Sequence, residues 1–159
     1  MPTLPQLIAA DMERLDAVLG ELLKHSEATA VLLIDKGGFL LCQSGDTGQF
    51  DPTTIAALSS GAFLANQTIA NLVHEENFNS VYQQGEKFSL LILNVDEYCL
   101  LVVIFPSQLS VGAVKYFAAA TTTRVAEQMR IALERNPTGG VDLSELNLSD
   151  ATGVFRKKE

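Results

Sequence analysis

Residues 51–74 read DPTTIAALSS GAFLANQTIA NLVH, and this stretch decides the fold. Asp51 is a good N-cap, and Pro52 suits the first helical position, where its missing N–H is not needed. From there the spacing is helical: Ile55, Leu58, Ala62, Ala65, Ile69, Leu72 and Val73 recur at i, i+3, i+4, i+7. We expect that stripe to be the core face. The opposite side carries Ala56, Ala57, Ser60, Phe63, Leu64, Gln67, Thr68 and Asn71, where a surface helix normally carries Glu and Lys. No residue from Thr53 to Val73 is charged. A helix without a charged face tends to be buried on two sides. One side is then core and the other an interface; burial of both sides within one monomer is the alternative.

Outward from this helix the chain alternates strands and helices. A first helix is predicted over Leu4 to His25, with Leu4, Leu7, Ile8, Met12, Leu15, Val18, Leu19, Leu22 and Leu23 on one stripe and Asp11, Glu13, Asp16 and Glu21 off it. Ala30–Ile34 and Phe39–Ser44 read as strands around an Asp35-Lys-Gly-Gly38 turn, whose glycines accept positive φ. After the central helix, strands are predicted over Asn79–Gln83, Phe88–Asn94 and Tyr98–Phe105, then a helix from Ser110 or Val111 to Arg135. Hairpin-sized turns make the sheet antiparallel. Tyr98–Phe105 is apolar throughout, so both its faces need cover. The expected fold is α/β of the α+β kind: a five-stranded antiparallel sheet with helices on both faces, in the order α-β-β-α-β-β-β-α. Asn79–Gln83 is the most polar strand and the expected edge, a template for pairing with another chain.

The chain has 159 residues and a net charge of −8. That size suits one domain over residues 1–135. From Asn136 the composition changes: Pro137-Thr-Gly-Gly140 breaks the helix, and Val141, Leu143, Leu146, Leu148, Val154 and Phe155 stand isolated among polar residues. Residues 136–159 are expected to be a flexible tail; a short segment that folds onto a partner is the alternative. The acidic balance argues against nucleic acid and against an anionic membrane surface. No run is long and apolar enough to span a bilayer, and the N-terminus has no basic region of a signal peptide. Cys42 and Cys99 lie in apolar runs, and we expect buried, reduced thiols in a cytoplasmic protein.

No catalytic set emerges. His25 and His74 sit at predicted helix ends, where they can meet the last carbonyls. Two cysteines far apart supply no zinc motif. Lys36-Gly37-Gly38 opens a strand rather than a helix and lacks the Walker Lys-Ser/Thr. Ser59-Ser60-Gly61 is not a nucleophile elbow. Glu75-Glu76 are adjacent and diverge at a helix end. We expect no enzyme active site, no metal and no cofactor.

The ordered stretches Val31-Leu-Leu-Ile-Asp-Lys-Gly-Gly-Phe39, Leu58 to Glu75 with Leu64-Ala-Asn-Gln-Thr-Ile-Ala-Asn-Leu72, Tyr82-Gln-Gln-Gly-Glu86, Leu101-Val-Val-Ile-Phe105 and Ser110-Val-Gly-Ala-Val114 resemble the roadblock family. Within it they are similar to the MglB-like branch, whose members partner the Ras-like GTPase MglA. The resemblance spans residues 5–135. It implies a roadblock/longin-like three-layer sandwich and a bacterial homodimer in which the central helices pair and the edge strand after them joins the two sheets. It also implies a platform on which one small GTPase sits and hydrolyses GTP faster with its own catalytic residues, in cell polarity or motility. Angular position then assigns Ala57, Gly61, Leu64, Thr68 and Asn71 to the GTPase. It assigns Ala56, Phe63, Gln67 and Ala70 to the sister helix, with Val81 and Tyr82 on the joining strand. The two helix faces are open to exchange. The family tends to have Ala-Gly-Asn and small residues in this helix; here Ser60-Gly61-Ala62 is followed by bulkier Phe63 and Leu64. Two other readings stay open: a non-catalytic scaffold subunit that binds a GTPase or complex without changing hydrolysis, and a small-ligand sensor.

Overall fold

The computed structural model describes residues 3–136; the tail, except for Asn136, lies outside the described residues. The elements run α1 (Ala9–Ser26), β1 (Ala30–Asp35), β2 (Leu40–Gly45), α2 (Pro52–Leu72), β3 (Ser80–Gln83), β4 (Phe88–Asn94), β5 (Cys99–Pro106) and α3 (Val111–Arg135). All strand pairs are antiparallel, in the order β2-β1-β5-β4-β3, so β3 and β2 are the two edges. The element order and the mixed α/β architecture are those expected from the sequence.

Helices cover both faces because the central strands are apolar on both. Cys99, Leu101, Val103 and Phe105 of β5 join Val31 and Leu33 of β1 under α1 and α3. Leu100 and Val102 join Leu32, Ile34 and Ile92 under Ala56 and Phe63 of α2. Cys42 and Cys99 are buried and unbridged, and burial pushes the Cys42 thiol up to about 12.

α1 starts five residues later than Leu4. Pro5 disfavours a helical residue before it, and the Asp11 carboxylate accepts the Ile8 N–H at 2.8 Å, which places the N-terminus there. Leu4 and Leu7 still pack against the core, from extended chain. Asp11 itself is fully buried rather than off the core stripe. It accepts from Gln128 Nε2 at 2.6 Å and from both Arg135 nitrogens at 2.8 and 2.9 Å, and so ties the start of α1 to the end of α3.

The rotation of α2 corrects the expected core stripe. Leu58, Ala65, Ile69, Leu72 and Val73 are exposed, Ile55 and Ala62 are half-buried, and Ala56, Ser59, Ser60, Phe63 and Ala70 point inward. Polarity could not choose between two uncharged faces; the inward one is small except for Phe63, which enters the core. Small residues let the helix approach the β1–β2 turn. Ser60 Oγ donates to the Lys36 carbonyl at 2.6 Å. Gly38, at φ +95°, lies so near that a Cβ on it would come within 3.2 Å of Ala57 Cα.

Candidate partner-binding face

Asp51 caps α2 through Thr54 N–H at 3.2 Å, and Pro52 occupies its first turn, as expected from the sequence. The helix packs over β1, β2 and β5. Cover is thinner over the edge of the sheet: Val81 and Leu90 are half-buried and Phe88 is exposed. A cavity of about 330 Å³ opens there between Phe50, Ile55, Gln83, Phe88, Leu90 and Ile104.

Ala57, Gly61, Leu64, Thr68 and Asn71 are all exposed and form one outward stripe on α2. Beside it runs a second exposed stripe of larger residues, Leu58 (69 % exposed), Ile69 and Leu72 (75 % exposed). Ala56, Phe63 and Ala70 lie elsewhere. The protomer itself buries them, which leaves their side chains almost no surface to offer a sister helix. Gln67 is half-buried and its Nε2 donates to the Phe78 carbonyl at 3.4 Å. Val81 lies on the α2 side of β3, while Tyr82 points to the other side and stacks on Phe105 with ring centroids 6.3 Å apart. The two faces were open to exchange. Burial moves the apolar candidates for a helix–helix contact from the Ala56 side to the Leu58–Leu72 side.

Sequence reasoning missed what borders the outward stripe. The tip of the β1–β2 hairpin and the β4–β5 turn meet beside Leu64. Lys36 N–H donates to the Tyr98 carbonyl at 2.8 Å, and the Lys36 ammonium stands 5.8 Å from the centre of the Phe63 ring. Burial holds its pKa below the usual lysine value, against the opposing pull of Asp96. Asp96 Oδ1 accepts from Tyr98 and Cys99 N–H at 2.8 Å each and shapes the second turn. The visible signal was the Asp35-Lys-Gly-Gly38 turn, which the linear sequence does not place against α2.

Among the described residues no cluster of His, Cys, Asp and Glu could hold a metal ion. No helix there is long and apolar enough to cross a membrane. What the geometry offers is a surface: an uncharged helix, apolar on its exposed side, next to an open sheet edge.

The Roadblock/LC7 domain profile matches residues 14–105, more than half of the chain. The chain belongs to the Roadblock/LC7 family. Among solved structures it is similar to Myxococcus xanthus MglB, at 28 % identity and a TM-score of 0.74 over 80 % of this chain and 96 % of that one. It is similar to the gliding protein MglB of Thermus thermophilus, at 29 % identity and a TM-score of 0.73 over 82 % and 98 %. It also resembles an MglB described as having a tetrameric arrangement, at 29 % identity and a TM-score of 0.76 over 84 % and 100 %. A search of curated protein sequences gave no match.

Proposed function

We propose that this roadblock protein is a cytoplasmic, homodimeric regulator that binds a small Ras-like GTPase of the MglA kind and speeds its GTP hydrolysis, in bacterial cell polarity or motility. The observation that carries the reading is the exposed face of α2: Leu58, Leu64, Ile69 and Leu72 are uncovered on a helix with no charge from Thr53 to Val73. Soluble monomers rarely leave such a contiguous apolar patch bare. In the dimer the Leu58–Leu72 stripe meets its counterpart, and the β3 edges pair across the two-fold axis. The outward stripe Ala57, Gly61, Leu64, Thr68 and Asn71 then forms a shared platform for one GTPase. The likeness to MglB structures over four-fifths of the chain supports this, as does the description of one of them as a gliding protein.

The platform helix supplies no arginine finger, a device worth a factor of about 10³–10⁵. The nearby cation, Lys36, has its ammonium turned onto Phe63. Activation then rests on holding the GTPase's own residues in place, with this chain acting as a regulator and not as an enzyme. One observation favours a scaffold role instead: Leu64 puts bulk on the platform, whereas Phe63 is buried and adds none.

Single-turnover GTP hydrolysis by the Ras-like GTPase encoded nearest this gene, with and without the protein, separates the two. A rise of tenfold or more establishes an activator. Binding without acceleration establishes a scaffold, and neither binding nor acceleration refutes both.

A further inference from the structure

Within one protomer α2 and β3 run in opposite directions. Gln67 Nε2 donates to the Phe78 carbonyl, so the start of β3 lies by the C-terminal half of α2. Gln83 and Gln84, at the far end of β3, share the cavity of about 330 Å³ with Phe50 and Ile55, at the N-terminal end of α2. The inside of this cavity is apolar and its frame is fixed. Phe50 and Phe88 meet edge to face with ring centroids 5.3 Å apart. The turn beside them is tight: a Cβ on Gly85 would come within 2.3 Å of the Phe88 carbonyl oxygen. Ile55, Leu90 and Phe50 are only half-buried around it. At the other end of α2 stands Leu72, the most exposed large apolar side chain of the helix. An open apolar cavity and a bare leucine thus mark opposite ends of one helix, and a single protomer cannot bring them together.

We propose that Leu72 of a second copy fills this cavity, an inference that rests on the dimer reading above and deepens it. In a two-fold pair the same patch meets itself. For both α2 stripes to lie on one face of the joined sheet, the axis must cross the strands, so the β3 edges pair antiparallel. The start of one β3 then lies beside the end of the other. The second copy's α2 ends near the start of its own β3, so its last turn is carried to the N-terminal end of the first α2, where the cavity opens. The exchange is reciprocal: each copy gives one leucine and receives one. The chemistry fits, because the wall is aromatic and aliphatic while the glutamine side chains stay at the rim. The pairing also gains a fixed register. β3 is only four residues long and its exposed end is polar, so the edge by itself specifies register weakly. Two leucines seated in two cavities hold it in place.

The test mixes full-length Leu72→Ala and Phe88→Ala chains. A pure variant of either kind has both sites damaged. The mixed pair keeps one intact site, because the Leu72 retained by the Phe88→Ala chain enters the cavity retained by the Leu72→Ala chain. Analytical ultracentrifugation gives the dissociation constants, and native mass spectrometry gives the proportions of pure and mixed dimers. Circular dichroism melts check that each chain folds, and Ile55→Ala takes the place of Phe88→Ala if the latter melts early. We expect each pure variant to dimerise about tenfold or more weakly than wild type, and the mixed dimer to be about tenfold tighter than either pure one. A mixed dimer whose affinity falls between those of the two pure variants overturns the proposal. So does a Leu72 or cavity variant that dimerises like wild type, which would give the cavity to another occupant. In both cases the dimer reading stands. A wild-type chain that stays monomeric refutes the dimer reading, and the cavity proposal with it.

Discussion

Replacing Asp11 by Asn should lower the melting temperature by about 6–9 °C. The carboxylate accepts four hydrogen bonds, one from Ile8 N–H, one from Gln128 and two from Arg135. Asn keeps one acceptor oxygen and turns an NH₂ toward groups that are themselves donors, so it satisfies fewer of these bonds. Breaking a buried pair from one side costs about 3–5 kcal/mol. The Arg135 side chain is 38 % exposed, so water recovers part of that loss, and we take about 2–3 kcal/mol. At about 3 °C per kcal/mol for a domain of this size, the shift follows. The pH dependence is an independent check. The Arg135 hydrogen bonds hold the Asp11 carboxyl well below its usual value of 3.8, outweighing the burial that would raise it. A depressed folded-state pKa gives stability that is complete above the unfolded value and is lost as pH falls through the folded one. The gap between wild type and variant should therefore be constant above about pH 5 and narrow below about pH 4. Calorimetry across that range measures both. A variant that melts within about 2 °C of wild type at neutral pH would refute the argument, as would a gap that does not narrow in acid.

Three further outcomes follow from the same geometry. In light scattering wild type should be a dimer and Leu58→Asp combined with Leu72→Asp a folded monomer; a persistent dimer in the variant would move the interface off this stripe. Leu64→Arg should abolish GTPase binding and leave the dimer intact, and loss of the dimer instead would show that the two exposed stripes are interchanged. Glu27→Gly should raise stability by about 0.5–1 kcal/mol in thermal melts, because Glu27 closes α1 in the left-handed region at φ 59°, which glycine adopts freely. An unchanged or lower melting temperature would mean that the Glu27 side chain contributes more than its backbone costs.

The elements were legible because each carries its own local signal. Asp51-Pro52 marks a helix start, Gly37-Gly38 a hairpin, and the apolar run at 98–105 a doubly covered strand. Boundaries then fell within a residue or two except at α1, where Pro5 and a buried Asp11 override an apolar spacing that continues back to Leu4. Asp11 was illegible for a related reason: its partners, Gln128 and Arg135, are more than a hundred positions away. The contact beside Leu64 was hidden in the same way, since Lys36 and Tyr98 are far apart in the sequence and only the β1–β5 pairing brings them together.

The rotation of α2 was illegible for a different reason, and it is informative. Hydrophobic periodicity orients a helix when one face is charged; here none is, so the stripe of large apolar residues reads as core. The protomer instead turns Phe63 and the small residues Ala56, Ser59, Ser60 and Ala70 inward while Leu58, Ile69 and Leu72 face out. Burying one leucine is worth about 1.5–3 kcal/mol, so a lone protomer gives up several kcal/mol by this choice. The close approach to Gly38 and the Ser60–Lys36 hydrogen bond offset only part of that. A helix that buries one large residue, Phe63, among small ones and leaves three others outside gains most when something covers the outside. That supports a dimer along the Leu58–Leu72 stripe on energetic grounds, independently of the family likeness.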